Sequence, residues 1–164
     1  MRLLIATLLL AAGVSGVHAR QIEIDRTLQR VYGTAIMSSD VRQARLLRLL
    51  PGAGDDDRSL LTGLENRLLM LREVTRSTTA DPEAAAIAAR RRDWLATLPP
   101  GTDVAATMAR TGMTDQTLDA WFRDDLKVEA YLTQRFGQPG DPARDRRIGP
   151  WLADLRRRAN LTGK

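Results

Sequence analysis

From residue 60 to residue 74 the apolar side chains return every three or four positions: Leu60, Leu61, Leu64, Leu68, Leu71 and Val74. That period marks one face of an α-helix. It is incompatible with a half-buried strand, where successive side chains alternate between faces. Leu69 and Met70 widen the stripe, so a helix over residues 58–76 is expected to be covered on more than one side. Gly63 inside it costs about 1 kcal/mol relative to alanine, which suggests a close helix crossing. A segment of this kind needs apolar partners, and the sequence around it has to supply them.

It supplies mostly further helices. Val41, Ala44, Leu47 and Leu50 repeat the helical spacing until Pro51, with Ser39 as the expected N-cap and Asp40 favourable at the positive helix end. Residues 51–57 form a loop rich in Gly and Asp. Asp81-Pro82-Glu83 then reads as an N-cap, a first-turn proline and a first-turn acid, opening a helix that runs to Leu98 before Pro99-Pro100-Gly101. A short fourth helix follows Thr102-Asp103 and closes at Gly112. Thr114 caps a long fifth helix carrying Leu118, Trp121, Phe122, Leu126, Val128, Leu132 and Phe136. Residues 137–142 are turn-rich, and a last amphipathic helix contains Ile148, Trp151, Leu152 and Leu155. Only residues 22–32 and 34–37 favour extended chain, as a hairpin turning at Gly33. The expected fold class is mainly α, with about six helices and a short N-terminal β-hairpin.

The first residues belong to a different grammar. Arg2, an apolar run over residues 3–14, and Gly16-Val17-His18-Ala19 follow the plan of a cleavable export signal with cleavage after Ala19. An uncleaved anchor is the alternative, but a span needs about 20 apolar residues and this run is shorter. Residues 20–164 are then expected to be one domain in the periplasm or secreted, with no stable membrane insertion after cleavage. Cysteine is absent, so no disulfides are used there.

These features exclude much chemistry. The single histidine, His18, leaves with the signal, and without His or Cys the usual triads, zinc sites and haem or iron–sulfur ligation are closed. No Gly-rich nucleotide loop and no Gly-x-Ser-x-Gly elbow occurs. Asp124-Asp125 adjoin on a helix, where neighbours do not face each other. Asp55-Asp56-Asp57 suits a calcium loop only in its first residues, because Arg58-Ser59-Leu60 do not continue one; an acidic turn before a helix is the simpler expectation. Asn160-Leu161-Thr162 matches a glycosylation sequon, relevant only in a eukaryotic host. No cofactor, no metal and no catalytic residue is expected.

The net charge of +5 comes from 25 basic residues, nearly all arginine, against 20 acidic ones. Arg90-Arg91-Arg92 and Arg156-Arg157-Arg158 are the two basic clusters. They suit a phosphate or an acidic partner, or simply a solvated helix face, and the face is favoured. Aromatics make up 4% of the chain, too few to stack bases between the arginines, so nucleic acid is not an expected partner.

One ordered set of motifs is more specific. Ile24-Asp25-Arg26 precedes a turn at Gly33, and Ser39-Asp40-Val41 opens a helix. Leu-x-x-Leu-x-x-Arg-Leu-Leu-Met spans residues 61–70, and Asp81-Pro82-Glu83 starts the next helix. Thr111-Gly112-Met113-Thr114 ends a short helix, and residues 118–132 read Leu-Asp-Ala-Trp-Phe-Arg-Asp-Asp-Leu-Lys-Val-Glu-Ala-Tyr-Leu. Over residues 22–136 this resembles the N-terminal domain of the SurA-type periplasmic chaperones, related in fold to the peptide-binding domain of trigger factor. In that family one or two parvulin isomerase domains follow, and a C-terminal helix returns to pack on the N-terminal domain. Here residues 137–150 are too few for such a domain, so the likeness implies a linker followed by a returning helix over 151–162, and no isomerase.

The resemblance implies an ATP-independent holder of unfolded or outer-membrane protein clients, with an exposed apolar patch rimmed by charge. Leu68, Met70, Trp121, Phe122 and Trp151 are the candidate peptide-binding residues, although a Leu or Trp at helical spacing, taken singly, is usually core. An adaptor binding one folded partner or itself is the alternative, and a carboxylate hydrolase built on Asp124 or Asp125 is a third.

Overall fold

The computed structural model describes residues 25–77 and 79–161. A hairpin, β1 (Thr27–Val31) and β2 (Thr34–Met37), runs directly into α1 (Ser38–Leu46). Five helices follow: α2 (Asp57–Val74), α3 (Ala84–Thr97), α4 (Val104–Thr111), α5 (Asp115–Phe136) and α6 (Pro142–Arg158). The chain is mainly helical with a two-stranded antiparallel hairpin, as the apolar periods require. The expected export signal, with His18 and Ala19, lies outside the described residues, as do Ile22, Ile24 and Thr162.

Tyr32 and Gly33 turn the hairpin with φ of 48° and 91°. Val31 pairs with Thr34 across them, the two-residue geometry whose twist suits antiparallel strands. Asp25, just before β1, then caps the helix that follows β2. Its carboxylate accepts the backbone N–H of Ser39 at 2.9 Å and both the Ser38 and Ser39 hydroxyls. The N-cap position is Met37, whose own N–H donates to Asp40 at 2.7 Å. Ser39, expected as N-cap, therefore lies inside the helix, because a carboxylate from an earlier strand serves the orphan donors instead.

The first helix also stops sooner than its leucines suggest. Arg48 sits at φ 48°, Leu49 N–H bonds Ala44 C=O at 3.0 Å, and Arg48 N–H bonds Arg45 C=O at 3.2 Å. This is a Schellman ending with arginine where glycine is usual. Leu47, Leu49 and Leu50 leave the helix and pack individually. The Leu47 carbonyl accepts the indole N–H of Trp94 from α3 at 2.7 Å. Leu50 reaches back onto α2, where a Cβ on Gly63 would lie 2.9 Å from its Cδ1. Gly63 thus admits a loop leucine and not a helix crossing.

Two further boundaries differ from expectation. α3 begins at Ala84 with Glu83 as N-cap, two residues late, because the Asp81 carboxylate is engaged with Lys127 of α5 at 2.5 Å. α6 begins at Pro142, capped by the Asp141 carboxylate on Ala143 N–H at 2.8 Å. The expected linker over 137–150 is therefore a turn of five residues, and the helix runs through Pro150.

Three buried clusters hold these elements. Val31 and Ile36 of the hairpin meet Val41 and Ala44 of α1, Leu60, Leu64 and Leu69 of α2, and Leu155 of α6. Leu47, Leu49, Ile87, Trp94, Met108, Leu118 and Phe122 close α3, α4 and α5 over the turn after α1. Val74, Val128 and Tyr131 form the third, with Met70, Leu132 and Trp151 against it. Trp121 packs on the first two clusters and Trp151 on the first and third, so two tryptophans join what would otherwise be separate cores. No described helix is long and apolar enough to cross a membrane.

Candidate functional site

α2 is covered by the hairpin and α1 on one side and by α5 and α6 on others, and it carries two charges inward. Glu65 and Arg67 are 5% and 7% exposed. Burying a charge is costly unless it is paired and hydrogen-bonded, and both are. Glu65 meets Arg156 of α6 at 2.8 Å, while Arg156 also donates to Asn66 Oδ1 at 2.9 Å. Arg67 donates to the Trp121 carbonyl at 2.9 Å, forms an ion pair with Asp125 and stands 3.7 Å from Asp124. Its guanidinium carbon also lies 3.8 Å from the Trp121 ring centroid, within cation–π range. Burial raises the Asp125 carboxyl above its ordinary 3.8, against the opposing pull of Arg67.

Arg67 divides two cavities, lining both. The first, about 220 Å³, runs along Thr34, Ala35 and Ile36 of β2 to Leu68 and Trp121. Among the described residues β2 has no strand beyond it. The Nε1 of Trp121 is buried without an acceptor among the described residues. The second, about 270 Å³, lies between the turn after α1, α2, α5 and the start of α6, and Met70, Val128 and Leu132 are among its walls.

The five candidate residues separate on this geometry. Leu68 and Trp121 come together in the first cavity. Met70 lines the second, on the other side of Arg67. Phe122, 3% exposed, packs against Trp94 with ring centroids 5.6 Å apart, which makes it core. Trp151 is half-buried against Phe136 and Tyr131 at 5.2 and 6.0 Å and is in the wall of neither cavity. Tyr32, Leu46 and Leu95 are the exposed large hydrophobics among the described residues.

The charged motifs are also spent differently from expectation. Arg90 pairs with Glu129, and Arg91 with Asp115 and Asp119, so the first arginine cluster clamps α3 to α5. In the second, Arg156 reaches Glu65 while Arg157 and Arg158 pair with Asp154. Asp124 and Asp125, expected to diverge, both approach Arg67. In the acidic turn, Asp56 caps α2 through Ser59 N–H at 2.9 Å, Asp57 pairs with Arg45, and the Asp55 carbonyl accepts Arg45 Nε at 3.0 Å. The described residues contain no group of three potential metal-ligating side chains.

Sequence reasoning missed Glu65, Arg67 and Arg144 as buried charges. The available signal was placement: Glu65 and Arg67 fall within the leucine-rich helix α2, on which the hairpin and other helices pack. Searches of family models, curated proteins and solved structures return no match to this chain. The likeness to the SurA N-terminal domain therefore rests on the ordered motifs of the sequence.

Proposed function

We propose that this chain is a non-enzymatic, ATP-independent chaperone of the periplasm, a SurA-like core that holds extended segments of unfolded or outer-membrane protein clients. The observation that carries this is the cleft where Leu68 and Trp121 meet the outer edge of β2, which has no further strand among the described residues. An extended segment laid there finds main-chain hydrogen-bonding groups along β2, a mode of recognition that reads backbone more than sequence. Leu68 and Trp121 offer apolar contact to such a segment. Nothing in this arrangement requires nucleotide, metal or cofactor.

The test is aggregation of a chemically unfolded outer-membrane protein followed by light scattering. The purified chain at several-fold molar excess suppresses scattering, and Leu68→Ser weakens the effect by about tenfold, the scale expected of a central contact residue. Full scattering at that excess rejects the holding function. Capture of one stoichiometric folded partner by crosslinking, without suppression, favours an adaptor.

A further inference from the structure

Arg144, at the start of α6, is 9% exposed, and its Nε is buried without a hydrogen-bond partner among the described residues. A guanidinium keeps its charge at any physiological pH, so this is a largely buried cation with no ion pair among the described residues. It lines the second cavity together with two other arginines and two carboxylates. Arg67 takes Asp125 and Arg90 takes Glu129. Both carboxylates in the wall are thereby committed, and one positive charge is left over. The rest of the wall is largely apolar, with Met70, Val128 and Leu132 facing a volume of about 270 Å³. That is just below the range of about 300–1,000 Å³ typical of drug-sized ligands, and so suits one large side chain with a small polar end.

We infer that this cavity binds an apolar group bearing a single carboxylate, with Arg144 as its counter-ion and the Met70 side as its apolar wall. The edge of a guanidinium presents parallel N–H donors that match the two oxygens of a carboxylate, and Arg144 brings that group to the wall of the cavity. Resting on the holding function proposed above, the source of that group is the C-terminal residue of a client polypeptide. A free small acid shares the same chemistry.

Three probes separate these cases, each titrated into the full chain and into Arg144→Gln: a fluorescent peptide ending in a free leucine, the same peptide amidated at its C-terminus, and N-acetyl-leucine. The free-acid peptide binds wild type about tenfold or more tightly than the amide, the scale of a hydrogen bond to a charged group, and Arg144→Gln removes the difference. N-acetyl-leucine competes with the free-acid peptide and broadens or shifts the NMR methyl signals of Met70, locating the site. Competition confined to the peptide, with no effect of the small acid, assigns the site to chain termini alone. Equal binding of acid and amide, or an acid preference that survives Arg144→Gln, overturns the inference. Light scattering keeps the two claims apart. Unsuppressed aggregation with N-acetyl-leucine still bound through Arg144 removes the chaperone and keeps the pocket; suppression without any acid preference does the reverse.

Discussion

Single residues in this protein are held by partners distant in sequence. Arg67 is the clearest case, with Asp125, Asp124, the Trp121 carbonyl and the Trp121 ring all around one guanidinium. Removing one side of a buried pair leaves the other uncompensated, at a cost of about 3–5 kcal/mol. Arg67→Ala should therefore lower unfolding stability by about that amount in urea melts, with Asp125→Asn milder at about 1–3 kcal/mol because the amide still accepts a hydrogen bond. Asp25 predicts a pH effect instead. Its hydrogen bonds from Ser39 and Ser38 hold its carboxyl below the ordinary 3.8. A depressed carboxylate stabilises the fold fully above the unfolded value, and the contribution is lost as pH falls through the folded one. In Asp25→Asn the loss of stability on acidification below pH 3.8 should be shallower than in wild type, measured by thermal melts across that range. An unchanged acid limb would contradict the capping role.

At the scale of elements, local rules and tertiary packing compete, and the outcome can be followed position by position. The ends of α4 and α5 obeyed local chemistry: Gly112 turns at φ 70° and Thr114 caps through Thr117 N–H, as their residue types imply. The end of α1 did not, because nothing about Arg48 announces a left-handed residue. Arg48→Gly should stabilise by about 1 kcal/mol, the usual penalty of that conformation for a side chain, in equilibrium unfolding. Pro150 shows the opposite conflict. An interior proline loses a hydrogen bond and clashes, at about 3 kcal/mol, which agrees with the start at residue 151 that the resemblance implies, while the apolar period already drew Ile148 into the helix. Burial of Trp151 and Leu155 against the cores keeps the helix continuous across it. Pro150→Ala is expected to raise stability by about 1–3 kcal/mol, and a loss would mean that the proline shapes the helix usefully. Gly63→Val should cost about 1–3 kcal/mol through overpacking against Leu50.

For the molecule as a whole, the hairpin, the number of helices and most of the core were legible because they rest on apolar period and on Gly, Pro, Ser and Asp signals. The candidate site was legible in part. Leu68 and Trp121 were identifiable as large apolar residues at helical spacing, but that criterion equally selected Phe122, which the fold buries, and Trp151, which packs elsewhere. Which side of a broad stripe faces a cleft is set by what packs on the other side, and that information is spread over the whole chain. Arg144 could not be found from sequence at all, since one arginine among the 25 basic residues carries no mark of being buried without a partner.

The central claim, that the Leu68–Trp121 cleft along β2 holds extended polypeptide, is tested most directly by fluorescence anisotropy with a panel of aromatic-rich peptides of unrelated sequence. Wild type should bind many of them at micromolar concentrations, and Leu68→Ser should weaken all of them together while its urea melt stays cooperative. Silence across the panel, or tight binding of one peptide alone, would contradict it.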